Sequence, residues 1–190
     1  MLILASQSPQ RKMAMEGIGI PFEVHPSEID EYAIKDNDPL KRAVKVATAK
    51  AQTVAQKFPA AFVIAADTYV VLNNKSLEKP KDTAEAIQML KAQQHAELTE
   101  VTGVCFIHPN KPTPYTQTVT STFHMRQLSD SEIEQYVSNN PVTTWSAAFS
   151  PAYPAGAGLI ADHNGSFTSF TYGLPVELVT TWLREIQLLK

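Results

Sequence analysis

The sequence predicts an α/β fold, a single mixed, twisted β-sheet with flanking helices. Three observations support this prediction. Short apolar runs typical of strands alternate with segments of helical periodicity along all 190 residues. The run at residues 62–66 is apolar without alternation, as in a strand buried on both faces. No repeat, low-complexity tract or change in composition marks a linker, so we expect one domain over residues 1–190.

The first part of the chain predicts strand, helix, strand and helix in turn. A strand at residues 2–5 precedes Ser8 and Pro9, an N-cap and a proline suited to the first helical position. A short strand at residues 22–25 comes next. Asp38-Pro39 then opens a helix that runs to about residue 57, and its apolar residues fall on one stripe at a period of 3.6.

A tight hairpin is predicted directly after the buried strand 62–66. Residues 69–72 and 75–77 have strand composition, and Asn73-Asn74 between them suits a two-residue turn. Extending this register brings Lys79 opposite Thr68, beside the end of the buried strand.

The second half of the chain predicts three more helices and three more strands. A capping box, in which Ser129 is followed three residues later by Glu132, predicts one of the helix starts. The predicted helices cover residues 82–93, 129–138 and 175–189, and the strands cover 101–108, 116–125 and 159–161, with a turn at Asn164-Gly165. We expect the two long strands, 101–108 and 116–125, to be antiparallel.

Asp67 is the first candidate for chemistry, because a carboxylate at the carboxyl end of a buried strand lies where α/β proteins place their ligands. The plain alternative is a turn or capping aspartate. With Lys79 folded back beside it, Asp67 forms either a surface ion pair of little energetic value or a metal-binding carboxylate next to a phosphate-binding lysine.

Two further basic positions attract attention. Lys50 lies at the border of the apolar stripe of the helix 38–57, where its stem either follows the apolar surface or brings its charge to a site. Ser6, Ser8 and Arg11 lie where the first strand passes into the first helix. A helix N-terminus, two hydroxyls and a guanidinium suit a phosphate, although Ser-Pro is also a common way to begin a helix.

Composition excludes several functions. A formal charge of −3 without a block of like charges argues against a nucleic acid polymer or an anionic membrane as a partner. No signal or membrane-spanning segment is evident, and the lone Cys105 suits a reducing compartment, so we expect a cytoplasmic protein. Only seven glycines are present, which disfavours a glycine-rich phosphate loop.

Short motifs in a fixed order give the chain a family resemblance. They are Leu4-Ala5-Ser6-Gln7-Ser8-Pro9-Gln10-Arg11, Asp30-Glu31, Ala49-Lys50-Ala51, Ala66-Asp67-Thr68-Tyr69-Val70, Leu77-Glu78-Lys79-Pro80, Thr102-Gly103-Val104 and Gly173-Leu174-Pro175. In order and spacing they resemble the Maf family of nucleoside triphosphate pyrophosphatases, over nearly the whole chain. The resemblance implies a Maf or inosine triphosphatase-like fold.

This resemblance also implies an activity, a metal and a set of site residues. The activity is cleavage of a nucleoside triphosphate between its α and β phosphates with Mg²⁺ or Mn²⁺. By position, Asp67 resembles the catalytic carboxylate and Glu31 its partner in metal binding. The positions that resemble the family's triphosphate-binding residues are Ser6, Ser8, Arg11, Lys50 and Lys79. The resemblance further implies a homodimer.

The positions that separate the subgroups of the family are mixed in this chain. In the family that this chain resembles, members acting on dTTP and UTP carry Arg, Thr and Gln at these three positions. The 7-methyl-GTP pyrophosphatases carry Trp, Gln and Glu there. This chain has Gln10, Thr68 and Tyr153. Only Thr68 agrees with the first group, whereas the spacing from Gly165 to Gly173 is closer to the second. A dTTP, UTP or modified nucleotide and a 7-methyl-GTP type of substrate therefore both stay open.

Two other functions compete with the enzyme. The family block that aligns with residues 147–154 is rewritten in this chain, which favours a catalytically weak or inactive nucleotide-binding regulator as the alternative. A scaffold protein without a ligand is disfavoured, because the charged residues at the end of a strand and at the edge of the apolar stripe would then have no function.

Overall fold

The structure is a computed structural model and describes residues 1–189. Over these residues, seven strands form one sheet in the order β2-β1-β3-β5-β6-β7, and β4 pairs with β3. The strands are β1 (Leu2–Leu4), β2 (Glu23–Val24), β3 (Phe62–Leu72), β4 (Lys75–Leu77), β5 (Leu98–Ile107), β6 (Tyr115–Met125) and β7 (Ile160–Gly165). The sheet is mixed, because β1 runs parallel to β2 and β3 while β4 and β7 pair antiparallel to their neighbours.

Helices flank the sheet, as predicted. The helices are α1 (Pro9–Ile18), α2 (Pro39–Lys57), α3 (Thr83–Gln93), α4 (Asp130–Asn139), α5 (Pro154–Ala157), α6 (Phe167–Tyr172) and α7 (Val176–Glu185), with 3₁₀ turns at Glu31–Ala33, Val142–Thr144 and Ser146–Ala148. In the part of the chain covered by the structure, every helix is too short or too polar to cross a bilayer.

The local signals that predicted helix starts are confirmed. Ser8 caps α1, with its side chain accepting from the Arg11 amide, and Asp38 caps α2 through the Leu40 amide. The capping box of Ser129 and Glu132 is formed in both directions at the start of α4. These side chains accept from amides that have no partner inside the helix, which is why such short patterns can be read from sequence.

The hairpin between β3 and β4 has the predicted register, in which Leu72 pairs with Lys75 and Val70 with Leu77. Asn73 and Asn74 have φ angles of 50° and 62°. Two consecutive positive φ angles are those of a type I′ turn, whose twist matches that of the flanking strands.

Three sequence expectations are wrong. Asp67 is not at the end of a strand, because β3 is continuous from Phe62 to Leu72. Asn164-Gly165 is not a turn but the end of β7, where Gly165 pairs with Ser121 at a φ angle of 120°. The last helix ends at Glu185 rather than at residue 189. The sequence reading also missed α6, since six residues are too few to show a helical period.

The chain divides into two compact units, and a single domain over residues 1–190 stays a prediction. Among the described residues, unit 1 holds residues 1–67, 102–119 and 166–189, and unit 2 holds residues 68–101 and 120–165. In unit 2, α3 packs against α4 and against the 3₁₀ turn Ser146–Ala148. Ala147 and Ala148 in that turn have φ angles of 57° and 64°, a left-handed conformation that is costly for alanine.

Unit 1 has a core layer on each face of its strands. One layer joins Leu2, Leu4, Ile64 and Ala66 to residues of α1 and α7. The other layer joins Ile3, Ala5, Val63 and Ala65 to Ala47, Ala51 and Val54 of α2. Because side chains alternate along a strand, Asp67 continues the series of Val63 and Ala65 and faces α2.

Gly103 sets how closely α2 lies on the sheet. A Cβ atom at this position would come within 2.1 Å of the carbonyl carbon of Ala43, in the first half of α2. Only glycine permits such an approach of two backbones. The glycine of the Thr102-Gly103-Val104 motif thus fixes the helix that carries Lys50.

Candidate active site

Lys50 joins two of the predicted site residues. Its Nζ lies 2.9 Å from Asp67 Oδ1 and 2.9 Å from Glu31 Oε2. The Lys50 side chain is only 7% exposed and that of Asp67 10%, whereas the Glu31 side chain is 46% exposed. Lys50 therefore does not follow the edge of the apolar stripe into solvent, and the cluster is buried at its base and open at Glu31.

The tertiary structure brings these three side chains together from separate segments. Lys50 is in the middle of α2, Asp67 is in β3 on the strand face toward α2, and Glu31 begins the 3₁₀ turn Glu31–Ala33. Two carboxylates facing one ammonium leave one formal negative charge in excess. Burial lowers the effective dielectric constant, so this excess acts more strongly on an approaching cation than an exposed charge would.

Arg42 holds the segment that carries Glu31, a role that the sequence analysis missed. It lies on α2, eight residues before Lys50, and is 9% exposed. Its Nε donates to the Ile34 carbonyl at 3.1 Å, and its Nη2 donates to the Glu31 carbonyl at 3.4 Å. The Asp30 side chain also accepts from the Tyr32 amide at 3.0 Å. The only sequence signal was a second basic residue among the apolar positions of α2.

A second predicted cluster forms at the start of α1. Arg11 Nη1 donates to Ser6 Oγ at 3.2 Å, and Arg11 Nε donates to the Gly173 carbonyl at 2.9 Å. The Ser8 amide also donates to Ser6 Oγ, and the Ser8 hydroxyl donates to Gln10 Oε1 at 2.7 Å. The guanidinium is thus fixed beside the N-terminus of α1, where a helix has free amides and a partial positive charge.

The remaining predicted residues, Lys79, Thr68 and Tyr153, lie in unit 2. Lys79 follows β4 and is exposed, while Thr68 and Tyr153 are half-buried. The paired residues of the β3–β4 hairpin end at Val70 and Leu77, so the extension of the ladder to Thr68 and Lys79 stays a prediction.

Contacts within unit 2 anchor the chain just before Lys79. The Ser146 hydroxyl donates to the Leu77 carbonyl at 2.5 Å, and the Ala147 amide donates to the Glu78 carbonyl at 3.2 Å. Close in sequence to Ser146 and Ala147, the ring of Trp145 stacks on that of Tyr153, with ring centroids 5.2 Å apart. The sequence analysis singled out Tyr153 but not Trp145, for which the sequence offered no signal.

The carboxylates suit a hard divalent cation, although the structure shows no complete set of protein ligands. Among residues 1–189, no three His, Cys, Asp or Glu side chains converge as a metal-binding group. Glu31 and Asp67 supply two carboxylates that approach the same atom. Mg²⁺ is commonly held by one or two carboxylates together with water and the phosphates of a substrate. The donor set therefore fits such an ion.

Comparisons with known proteins agree with this picture. In fold, the chain is similar to the Ham1 protein of Staphylococcus aureus, with a TM-score of 0.55 at 14% identity over 97% of this chain and 98% of that chain. A Ham1 protein from Coxiella burnetii gives a TM-score of 0.50 at 16% identity, with the same coverage. The predicted α/β fold, a single mixed sheet with flanking helices, is confirmed, and it is similar to the fold of these Ham1 proteins.

Three sequence relatives carry the same name. A dTTP/UTP pyrophosphatase of Syntrophus aciditrophicus is 34% identical over 97% of this chain and 89% of its own length. Proteins of the same name from Lacticaseibacillus casei and Pyrococcus furiosus are 35% and 44% identical, over 93% and 72% of this chain and 94% and 70% of their own lengths. The family described as Maf-like protein matches residues 1–186. With that match and these relatives, the chain belongs to the Maf-like protein family.

Proposed function

We propose that this protein hydrolyses a nucleoside triphosphate to a nucleoside monophosphate and pyrophosphate. Water attacks the α phosphorus, and the bond from that phosphorus to the oxygen bridging it to the β phosphorus breaks. The observation that carries the proposal is the buried cluster in which Asp67, Lys50 and Glu31 meet within hydrogen-bond distance. A carboxylate that orients the attacking water and cationic groups that offset the charge of the phosphates recur in enzymes that cleave phosphoanhydrides.

Asp67 is the proposed catalytic carboxylate. Its side chain is held by β3 and by Lys50, so that it loses little conformational freedom when a substrate binds. It accepts a hydrogen bond from the attacking water and takes up the water's proton as the new phosphorus–oxygen bond forms. The neighbouring ammonium of Lys50 donates a hydrogen bond to Asp67 Oδ1 at 2.9 Å and so fixes the orientation of the carboxylate.

The phosphates are bound by basic and hydroxyl groups from several parts of the chain. Arg11, fixed by Ser6 and the Gly173 carbonyl, presents its guanidinium beside the helix N-terminus capped by Ser8. Lys50 supplies an ammonium group that offsets the negative charge of the phosphates. By family resemblance, we assign the same role to Lys79. No glycine-rich loop is needed in this scheme, which agrees with the small number of glycines.

Glu31 and Asp67 would hold a divalent cation, Mg²⁺ or Mn²⁺. When bound, the ion supplies charge neutralisation at the phosphates and lowers the pKa of coordinated water. The protein's part is to hold the two carboxylates at one place, with Glu31 on a turn supported by Arg42. Removal of divalent ions with a chelator should therefore abolish activity, and Mg²⁺ or Mn²⁺ should restore it.

Pyrimidine nucleotides are the first substrates to test. The relatives named dTTP/UTP pyrophosphatases support dTTP or UTP, whereas Gln10 and Tyr153 depart from the residues of that subgroup. The ring of Tyr153, braced by Trp145, offers a flat apolar face to a base. A modified base, including 7-methylguanine, is the alternative substrate.

A nucleotide-binding regulator without turnover is the second candidate. One observation favours it: Ala147 and Ala148, at the start of the segment 147–154 whose sequence departs from the family, have positive φ angles. Gln93, which is fully buried, donates to the Ala147 carbonyl at 2.9 Å and holds that conformation. Such a segment would keep a binding surface while changing how the substrate is oriented.

The proposed setting is the cytoplasm, and the proposed assembly is a homodimer. Cys105 is a free, fully buried thiol, which suits a reducing compartment. The dimer rests on family resemblance. Sedimentation of the purified protein tests it directly.

The decisive experiment is a pyrophosphate-release screen over canonical and modified nucleoside triphosphates with Mg²⁺ and with Mn²⁺. We expect release from at least one nucleotide and loss of release in Asp67→Asn. Calorimetric binding of a nucleotide without any product after long incubation would instead support the regulator. No release and no binding across the panel would overturn both candidates.

A further inference from the structure

The position of Lys50 has a consequence for how the site takes up a divalent ion. The same ammonium contacts both carboxylates, at 2.9 Å each, and is almost fully buried with Asp67. We propose that Lys50 competes with the divalent cation for Glu31 and Asp67, so that the nucleotide-free protein binds the cation weakly. This inference rests on the proposed function, because it assigns the carboxylates to a metal.

Electrostatics gives the direction of the effect. The ammonium hydrogen-bonds to the oxygens that would coordinate the ion, and its charge repels a divalent cation placed beside it. At a buried site, where the effective dielectric constant is far below that of water, this repulsion weakens ion binding by roughly tenfold or more. The two carboxylates are thus prepared for a cation but already neutralised in part by Lys50.

A nucleoside triphosphate relieves the competition. Its phosphate oxygens offer the ammonium new partners of higher negative charge, and the four-carbon stem of lysine lets the charge move without movement of α2. The carboxylates are then released for the ion that accompanies the nucleotide. Cation and nucleotide would therefore bind cooperatively, and the empty enzyme would not hold an ion ahead of its substrate.

The chain offers a matched control on the same helix. Lys45 forms one ion pair, with Asp36 at 2.6 Å, and its side chain is 57% exposed. Lys45→Met changes the net charge by the same amount as Lys50→Met, but leaves Glu31 and Asp67 untouched. A difference between the two variants therefore reports the position of the charge rather than the total charge.

The test is the affinity of the nucleotide-free protein for Mn²⁺ alone, measured by electron paramagnetic resonance of the free ion at pH 8. We expect Lys50→Met to bind Mn²⁺ about tenfold more tightly than the unmodified protein, although it is less active. Lys45→Met should bind Mn²⁺ as the unmodified protein does. Adding Asp67→Asn to Lys50→Met should remove the gain.

Unchanged or weaker Mn²⁺ binding by Lys50→Met would overturn the proposal, and so would an equal gain in Lys45→Met. Circular dichroism checks that each variant is folded. Lys50→Gln, which keeps a donor for the carboxylates without the charge, replaces Lys50→Met if the latter is unstable. The assay requires no turnover, so its failure is distinct from a failure of the proposed function, which the pyrophosphate screen reports on the unmodified protein.

Discussion

Lys50 Nζ, on α2, donates to Asp67 Oδ1, on β3, over 2.9 Å, and both side chains are almost fully buried. The two residues are 17 positions apart in the chain, yet they form the base of the cluster that Glu31 completes. This pair connects the fold to the proposed chemistry, because α2, which packs on the sheet, also places the ammonium of Lys50 against the carboxylate of Asp67.

Replacing Asp67 by Asn should reduce pyrophosphate release by at least about a hundredfold, because an amide neither accepts the proton of the attacking water nor binds a divalent ion well. The measurement is the initial rate with Mg²⁺ for the best nucleotide in the screen. Asp36→Asn is the control, since Asp36 pairs with Lys45 outside the cluster. Activity of Asp67→Asn within a few fold of the unmodified protein would contradict the assignment.

Replacing Arg42 by Met should lower kcat/KM by roughly ten- to a hundredfold, since the turn that carries Glu31 would lose two donors and its fixed position. Lys41→Met is a matched control, because Lys41 is the neighbouring basic residue on α2 and its side chain is 72% exposed. We expect Lys41→Met to retain normal kinetics. If Arg42→Met did the same while remaining folded, Arg42 would have no positioning role.

Two glycines should respond to alanine in opposite ways. Gly103→Ala places a Cβ atom within 2.1 Å of the backbone of Ala43, so α2 must shift, and we expect unfolding to become easier by about 3 kcal/mol or more. Gly17, within α1, has open space where a Cβ would be. Gly17→Ala should therefore stabilise the protein by about 0.5–1 kcal/mol. Urea denaturation of both variants measures these changes.

Cys105 should make stability depend on pH in the alkaline range. Burial raises the pKa of its thiol from 9.0 to about 11. The folded state therefore favours the neutral thiol, and this contribution is complete below pH 9 and is lost as the pH rises through 11. The rise of the thiol pKa from 9.0 to about 11 corresponds to a contribution of as much as about 3 kcal/mol to the free energy of unfolding.

The measurement for Cys105 is the difference in unfolding free energy between the unmodified protein and Cys105→Ala at several pH values. This difference should shrink between pH 9 and 11, whereas other titrating groups affect both proteins alike. At pH 8 an aromatic disulfide reagent should label Cys105 only as fast as the protein opens. Rapid labelling of the native protein would show that the thiol is accessible.

Local sequence patterns determined most of the secondary structure. The caps at Ser8, Asp38 and Ser129 depend on hydrogen bonds within one helical turn, and the β3–β4 register depends on a two-residue turn. Such interactions involve residues close in sequence, so the residue types suffice to predict them. The family motifs likewise named the candidate site residues and the fold.

Tertiary structure decided where those residues meet. In the sequence, Lys50 lies at the edge of the apolar stripe of α2, which did not show whether its ammonium faces solvent. In the structure, α2 packs closely on the sheet, as Gly103 permits, and the ammonium contacts Asp67. Arg42 went unnoticed because its acceptors are backbone carbonyls, which every residue possesses. Asp67 looked like the end of a strand and Gly165 like part of a turn. In the structure β3 continues through Asp67, and β7 reaches Gly165, which pairs with the distant Ser121. Residue types therefore determined which groups the site contains, whereas contacts between distant segments determined their partners, because burial and long-range pairing are properties of the folded chain as a whole.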